Sequence, residues 1–234
     1  MEDYPSLRKD MTRLIIIRHG QSVANFESRF AGHSDFDLTD LGRKQAECAA
    51  RYLRRIGEKP DAIYSSDLLR AHNTALPSAI EFGLPINDTQ GLREIFAGEW
   101  ESREVQDLFE NDHDAFLVWR TDFANAVCTG GESVAQLYAR IVRFVCDLAK
   151  KHDGETLLLA THATPVRAID CFSRGWGAER MGDVSFVRNA SISIFEYDGG
   201  RITPVRVDIV DHLDQSLVTA VPSQLSDIKT KKDE

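Results

Sequence analysis

Four residues from three separate stretches of the chain, Arg18, His19, Arg70 and His162, are of the types that handle a phosphoryl group. Arginine offers a rigid planar fork of donors, and two such forks can hold three phosphate oxygens while offsetting their charge. A neutral imidazole attacks phosphorus and divides one difficult transfer into two. A second imidazole, if protonated, adds donors as charge spreads over the oxygens in the transition state. Taken singly each residue is ordinary, since a histidine after a strand is more often a loop hydrogen bonder and Arg70 could be a solvated helix residue.

The elements around them give the set its meaning. Residues 12–17, T-R-L-I-I-I, form a continuous apolar run rich in β-branched residues, as expected of a strand buried on both faces, and it runs into Arg18-His19-Gly20. Residues 156–160 repeat the arrangement and end in Thr161-His162. Polar groups at the carboxyl ends of buried strands mark the edge where an α/β sheet presents chemistry, so His19 and His162 are expected at one edge. Helices are predicted over 40–56 and 67–82, the second with Ser66 as cap and a kink or break at Pro77. Ser133 and Gln136 have capping-box spacing for a helix through Ala149. Thr164-Pro165 resembles a cap followed by a first-turn proline. Late strands are predicted over 191–197 and 202–209, joined by Asp198-Gly199-Gly200.

This alternation predicts a three-layer α/β/α sandwich around a mostly parallel mixed sheet. The expected organisation is a flexible segment over 1–11, one catalytic domain over 12–222 and a polar tail over 223–234. Residues 95–131 are expected to be a helical excursion whose Trp100, Phe109, Phe116 and Trp119 either wall a pocket or pack as core. A net charge of −9 argues against broad nucleic-acid binding and confines any phosphate site to a small enclosed pocket. The opening residues lack a secretory apolar core, and no run is long enough to span a bilayer. The four cysteines, Cys48, Cys128, Cys146 and Cys171, are widely spaced and are expected to be reduced and buried, which suits the cytoplasm. A metal site built on His33 with Asp35, Asp37 or His19 lacks a zinc-ligand pattern.

The run R-H-G-Q-S-V-A-N over 18–25, extended by Gly32, Asp35, Leu38-Thr39, Gly42 and Gln45-Ala46, resembles the nucleophile motif of the histidine phosphatase superfamily. The likeness is to the branch of phosphoglycerate mutase-like enzymes and small bacterial phosphatases. Y-S-S-D-L-L-R-A over 64–71 resembles the segment with the second phosphate-binding arginine, here Arg70. Leu92-Arg93-Glu94 with Gly98-Glu99-Trp100 resembles the acid-bearing segment, Gly131-Glu132-Ser133 the start of the following helix, and Thr161-His162-Ala163 with Arg167 the second histidine motif. Asn189, Ala190 and Ser191 resemble the late strand entrance beside the site. The resemblance runs from Leu14 to about Glu196 and implies a phosphoglycerate mutase-like fold.

It also implies a mechanism in which His19 attacks, Arg18, Arg70 and His162 clamp the oxygens, and Glu94 protonates the leaving oxygen and then activates water, with no metal or cofactor. Gln21, Ser22 and Asn25 are expected to donate around the phosphate or to orient the loop of His19. Arg29, Arg93, Ala163 and Asn189 are candidate substrate contacts. Departures from common family forms fall at Ser22, Asp37, Ala97, Ser102 and Ala163, and none removes a proposed catalytic group. The segment between Glu94 and His162 is shorter than in typical cofactor-dependent mutases, which favours hydrolysis over relocation of phosphate. The expectation is therefore a phosphomonoesterase for small phosphorylated metabolites, monomeric or homodimeric. Behind it stand an α-ribazole-phosphate or sugar-phosphate specialist, a phosphoglycerate mutase and a non-catalytic phospholigand-binding protein.

Overall fold

All seven residues of β1 (Thr12–Arg18) are buried, because its side chains alternate between two cores. Leu14 and Ile16 join a core with Leu157 and Leu159, while Ile15 and Ile17 join another with Leu158 and Ala160. In the computed structural model, which describes residues 11–219, β1 lies near the middle of a six-stranded sheet. The order is β3-β2-β4-β1-β5-β6, with β2 (Ala62–Ser66), β3 (Ile86–Thr89), β4 (Thr156–Thr161), β5 (Ile192–Asp198) and β6 (Arg201–Ile209). The pairs β1–β4, β4–β2 and β2–β3 are parallel, and β1–β5 and β5–β6 are antiparallel, so the sheet is mixed as expected.

After a single short helix, α1 (Val23–Phe26), come α2 (Asp40–Arg55) and α3 (Leu69–Phe82). These two cover one face through Ala49, Leu53, Ala75 and Ala79. On the other face, α6 (Val134–Lys151) and α7 (Ala163–Ser173) pack through Ile141, Val145, Val166 and Ile169. The excursion before α6 holds α4 (Val105–Asn111) and α5 (His113–Thr121). It joins the second core through Trp100, Phe116 and Phe123. The Ser133–Gln136 capping box and the hairpin turn at Gly199-Gly200 form where the sequence puts them. Of the expected flexible segment 1–11, residues 1–10 lie outside the described residues, as does the whole of the expected tail 223–234.

Three local expectations are corrected. Pro77 neither breaks nor divides α3, because Thr74, Ala75, Ser78 and Ala79 hold the buried side of a continuous helix. Helix α3 starts after Leu68, with no side-chain cap, and Ser66 instead closes β2 and turns its hydroxyl to His162. Helix α7 starts at Ala163 with His162 in the cap position, so Thr164 and Pro165 already lie in its first turn. Strand β3 was not foreseen, since Ile86-Asn87-Asp88-Thr89 is a polar four-residue edge strand without a buried run. Cys128 and Cys171 are buried, but Cys48 and Cys146 are only half-buried, and all four are free thiols.

The loop after β1 lies backbone to backbone on α2. A methyl group on Gly42 would come 2.1 Å from the Gln21 carbonyl oxygen, and one on Gly20 would come 2.5 Å from that of Gly42. Gly42→Ala should therefore cost about 1–3 kcal/mol of stability, measured by urea denaturation. A loss below about 0.5 kcal/mol would mean that the loop withdraws from α2 freely.

Candidate active site

Strands β1 and β4 end together, with Arg18 opposite Thr161 in the parallel register. The next residue on each is a histidine, and the rings of His19 and His162 meet edge to face with centroids 5.2 Å apart. His19 Nδ1 lies 2.7 Å from the Gly20 carbonyl oxygen. Since a carbonyl oxygen only accepts, the ring proton sits on Nδ1 and Nε2 keeps its lone pair. Burial, reinforced by Arg70 and Arg18, holds the His19 pKa well below its ordinary value, so the ring is neutral.

Arg70, fully buried on the first turn of α3, donates from its two Nη atoms to the carbonyl oxygens of Ser34 (2.8 Å) and Gly32 (2.7 Å). Arg18 Nη1 donates to the Val187 carbonyl oxygen. Burial pulls both guanidinium groups down to about 10, opposed chiefly by Glu94, and they stay charged at neutral pH. His162 Nε2 is 2.9 Å from Ser66 Oγ. Its pKa is also held well below the ordinary value, by burial and then by Arg70, His19 and Arg18. Among the described residues, the buried side-chain atoms with no hydrogen-bond partner include Ser78 Oγ, Arg167 Nη1, Ser191 Oγ and His212 Nδ1, and three more, Nε of Arg18, Nε of Arg70 and Nδ1 of His162, fall together in this cluster. Unmet nitrogens gathered at one place leave room for an acceptor or donor from a ligand.

A cavity of about 200 Å³ opens on this cluster. Arg18, His19, Asn25, Arg29, Arg70, Glu94 and Ala163 line it. The Glu94 carboxylate accepts from the backbone N–H groups of Ile95 (2.9 Å) and Thr164 (3.3 Å), the latter in the first turn of α7. Phe30, Phe116, Trp119 and Phe186 form an aromatic wall, with Arg120 beside Trp119. Of the aromatic residues foreseen in the excursion, Trp100 is core, Phe109 packs on the core, and Phe116 and Trp119 serve both core and wall. Arg120 and Phe186 had not been singled out. The spacing of Phe116, Trp119 and Arg120 at i, i+3 and i+4 on α5 was the available signal.

The remaining expected contacts divide. Gln21, Ser22, Arg93 and Asn189 do not line the cavity, and neither does His162, which meets the site through its ring contact with His19. Gln21 Oε1 accepts from Thr39 Oγ1, and Ser22 caps α1 in a reciprocal pair with Asn25. Arg93 is paired through two 2.6 Å bonds to Asp67. Arg29 reaches the cavity wall but spends its guanidinium on Glu27, Glu104 and the Ser102 carbonyl oxygen. Asn189 Nδ2 donates to the His19 carbonyl oxygen and to Asn25 Oδ1, both at 3.1 Å. Arg167, from the second histidine motif, is buried with its guanidinium carbon 4.0 Å from the ring centres of both Phe123 and Phe186. Among the described residues no group of three or more His, Cys, Asp or Glu side chains is placed to hold a metal ion. No described helix is long and apolar enough to cross a membrane.

Residues 14–210 match the family model for the histidine phosphatase superfamily, branch 1. The chain belongs to that superfamily. Phosphoserine phosphatase 1 of Hydrogenobacter thermophilus is 32% identical over 90% of this chain and 98% of its own length. The Escherichia coli adenosylcobalamin/α-ribazole phosphatase is 31% identical over 72% of this chain and 82% of its own. A solved structure of mycobacterial glucosyl-3-phosphoglycerate phosphatase with VO3 superposes with a TM-score of 0.76 at 29% identity, covering 84% of this chain and 98% of that one. As a histidine phosphatase with these relatives, the chain is a phosphomonoesterase.

The two low histidine pKa values carry a sign that can be measured. Without ligand, the unfolded chain takes up protons on these residues below about pH 6.5 while the folded site does not. The stability they confer is therefore present above that pH and lost as the pH falls toward the folded values. Urea denaturation should give a smaller unfolding free energy at pH 5.5 than at pH 7.5, and His162→Gln should flatten the dependence. Inorganic phosphate should raise the His162 titration seen by NMR, because a bound anion favours the imidazolium. An unmoved titration would remove His162 from contact with the anion.

Proposed function

We propose that this phosphomonoesterase passes the phosphoryl group of a small ester first to Nε2 of His19 and then to water. In the first step the N–P bond forms as the ester P–O bond breaks, and Glu94 gives its proton to the departing oxygen. In the second, Glu94 as carboxylate takes a proton from water, whose oxygen displaces the His19 nitrogen and releases inorganic phosphate. Arg18, Arg70 and His162 hold the non-bridging oxygens throughout, and the two guanidinium charges do the work that a metal ion does elsewhere. The observation that carries this reading is the group of three buried, unpartnered nitrogens, on Arg18, Arg70 and His162, beside an imidazole whose Nε2 bears a lone pair.

The substrate side is read from the cavity. Phe30, Phe116, Trp119 and Phe186 suit the apolar face of an organic leaving group, and Asn25, Arg29, Arg120 and Ala163 border it. The named relatives act on phosphoserine, α-ribazole phosphate and glucosyl-3-phosphoglycerate, compounds that share little beyond the ester. That diversity, together with the short segment between Glu94 and His162, supports broad hydrolysis of small phosphorylated metabolites. Four free thiols favour the cytoplasm as its place of work.

Rapid-quench mapping of a phosphoester pulse at acidic pH should find phosphate on His19. His19→Ala should lower turnover by about 10⁴-fold or more while the protein stays folded. An active, folded H19A enzyme, or a label on another residue, would sink the mechanism. Metal-stripped enzyme in chelator should release inorganic phosphate from α-ribazole phosphate, sugar phosphates and phosphoserine, without added bisphosphoglycerate. Conversion of 3-phosphoglycerate to 2-phosphoglycerate with little free phosphate would replace hydrolysis with phosphate relocation. One substrate preferred over all others by a factor near 10³, about 4 kcal/mol, would make the enzyme a specialist.

A further inference from the structure

We infer that the segment following β6, residues 212–219, braces the loop that carries His19, with Thr219 and Gln45 as positioning residues. The inference rests on the reading of His19 as nucleophile. The aim of its Nε2 depends on the backbone of residues 19–21, since the ring is anchored to the Gly20 carbonyl oxygen. Two buried side-chain amides hold that backbone. Gln45 Oε1 accepts from the Gln21 N–H (2.8 Å), and Asn189 Nδ2 donates to the His19 carbonyl oxygen (3.1 Å). The Ala190 N–H donates to the same oxygen at 3.1 Å.

An amide is a two-ended group, and only one orientation of each serves the loop. Turned over, Gln45 would set NH₂ against the Gln21 N–H, and Asn189 would set its oxygen against the His19 carbonyl. The other end of each amide is fixed by the same short segment. Gln45 Nε2 donates to the Leu217 carbonyl oxygen (2.7 Å), and Thr219 Oγ1 donates to Asn189 Oδ1 (3.0 Å). A third tie comes from His212, whose Nε2 lies 3.0 Å from the Ala190 carbonyl oxygen. Burial pulls the His212 pKa down to about 4, so the ring is neutral and holds its one proton on the nitrogen facing that oxygen. Ala190 sits at φ +52°, a conformation that needs outside support in a residue with a side chain. Three contacts from eight residues thus converge on the three supports of one loop, Gln45, Asn189 and Ala190, without touching the cavity.

Thr219→Val keeps the side-chain shape and removes the donor, while Thr219→Ser keeps the donor. In full-length protein, rapid quench should show phosphohistidine forming about tenfold more slowly in T219V, because a small misplacement of a reacting atom costs rate before it costs binding. The affinity for inorganic phosphate and the melting temperature should stay close to wild type, and T219S should react at the wild-type rate. If valine lowers the melting temperature, Thr219→Ala carries the same comparison. Wild-type rates in T219V, or equal losses in T219V and T219S, would overturn the brace. Absence of phosphohistidine in the wild type would instead sink the nucleophile reading, and the ratio of T219V to T219S in steady-state kcat would still decide whether the hydroxyl positions the site.

Discussion

Two arginine charges are buried beside two imidazoles at the carboxyl end of one parallel strand pair, and the rest of the site answers to that concentration of positive charge. The β1–β4 register makes it, by ending both strands at the same level. Burying charge is costly unless it is paired. Arg18 and Arg70 are partly satisfied by backbone carbonyl oxygens, and Glu94 is the nearby carboxylate that most offsets them. Burial, reinforced by the same field, keeps both imidazoles neutral and leaves His19 Nε2 with its lone pair. In the proposed mechanism an arriving phosphate supplies the anion that this field and the unpartnered nitrogens lack.

The aromatic side of the cavity is built on different physics. Phe116 is fully buried yet lines the cavity, so the excursion contributes one surface to the core and another to the cavity wall. Across from α5, Phe186 lies over the Arg167 guanidinium, which Phe123 covers from the excursion. That stack links α7 to both walls, and Arg167 also donates to the carbonyl oxygens of Met181 and Val184. The wall is thus packed into the fold at α7, the helix that His162 caps.

Much of the fold was legible because its strongest signals are local. The runs of β1 and β4, the Ser133–Gln136 box and the glycine hairpin each specify an element within a few residues. Readings failed where a tertiary contact outbid local preference. Pro77 stays inside α3 because the buried side of that helix is tied down before and after it. Ser66 looked like a cap and is a partner of His162, since β2 ends beside β4 and the hydroxyl finds an imidazole across the sheet edge. Thr164 looked like a cap and is already helical because His162 occupies the cap position. Strand β3 carries no apolar run and exists because β2 offers it an edge.

The residue types and motifs of the chain by themselves picked out His19, Arg18, Arg70, His162 and Glu94, and the fold brings these five to one place. Strand runs that stop at a polar residue encode their own edge, so convergence was implicit in the pattern. Only the tertiary structure decided which neighbours touch the cavity and which serve the loop. Asn25 faces the cavity, whereas Gln21 and Ser22, adjacent in the same motif, turn to Thr39 and to α1. Gln45 and Asn189 became supports of the His19 loop through bonds spanning 24 and 170 residues. Arg120, Phe30 and Phe186 came to one wall from three separate segments. Such contacts depend on how independently formed elements pack, and a hydrogen bond between distant residues leaves no periodicity in either stretch of chain from which it could be read.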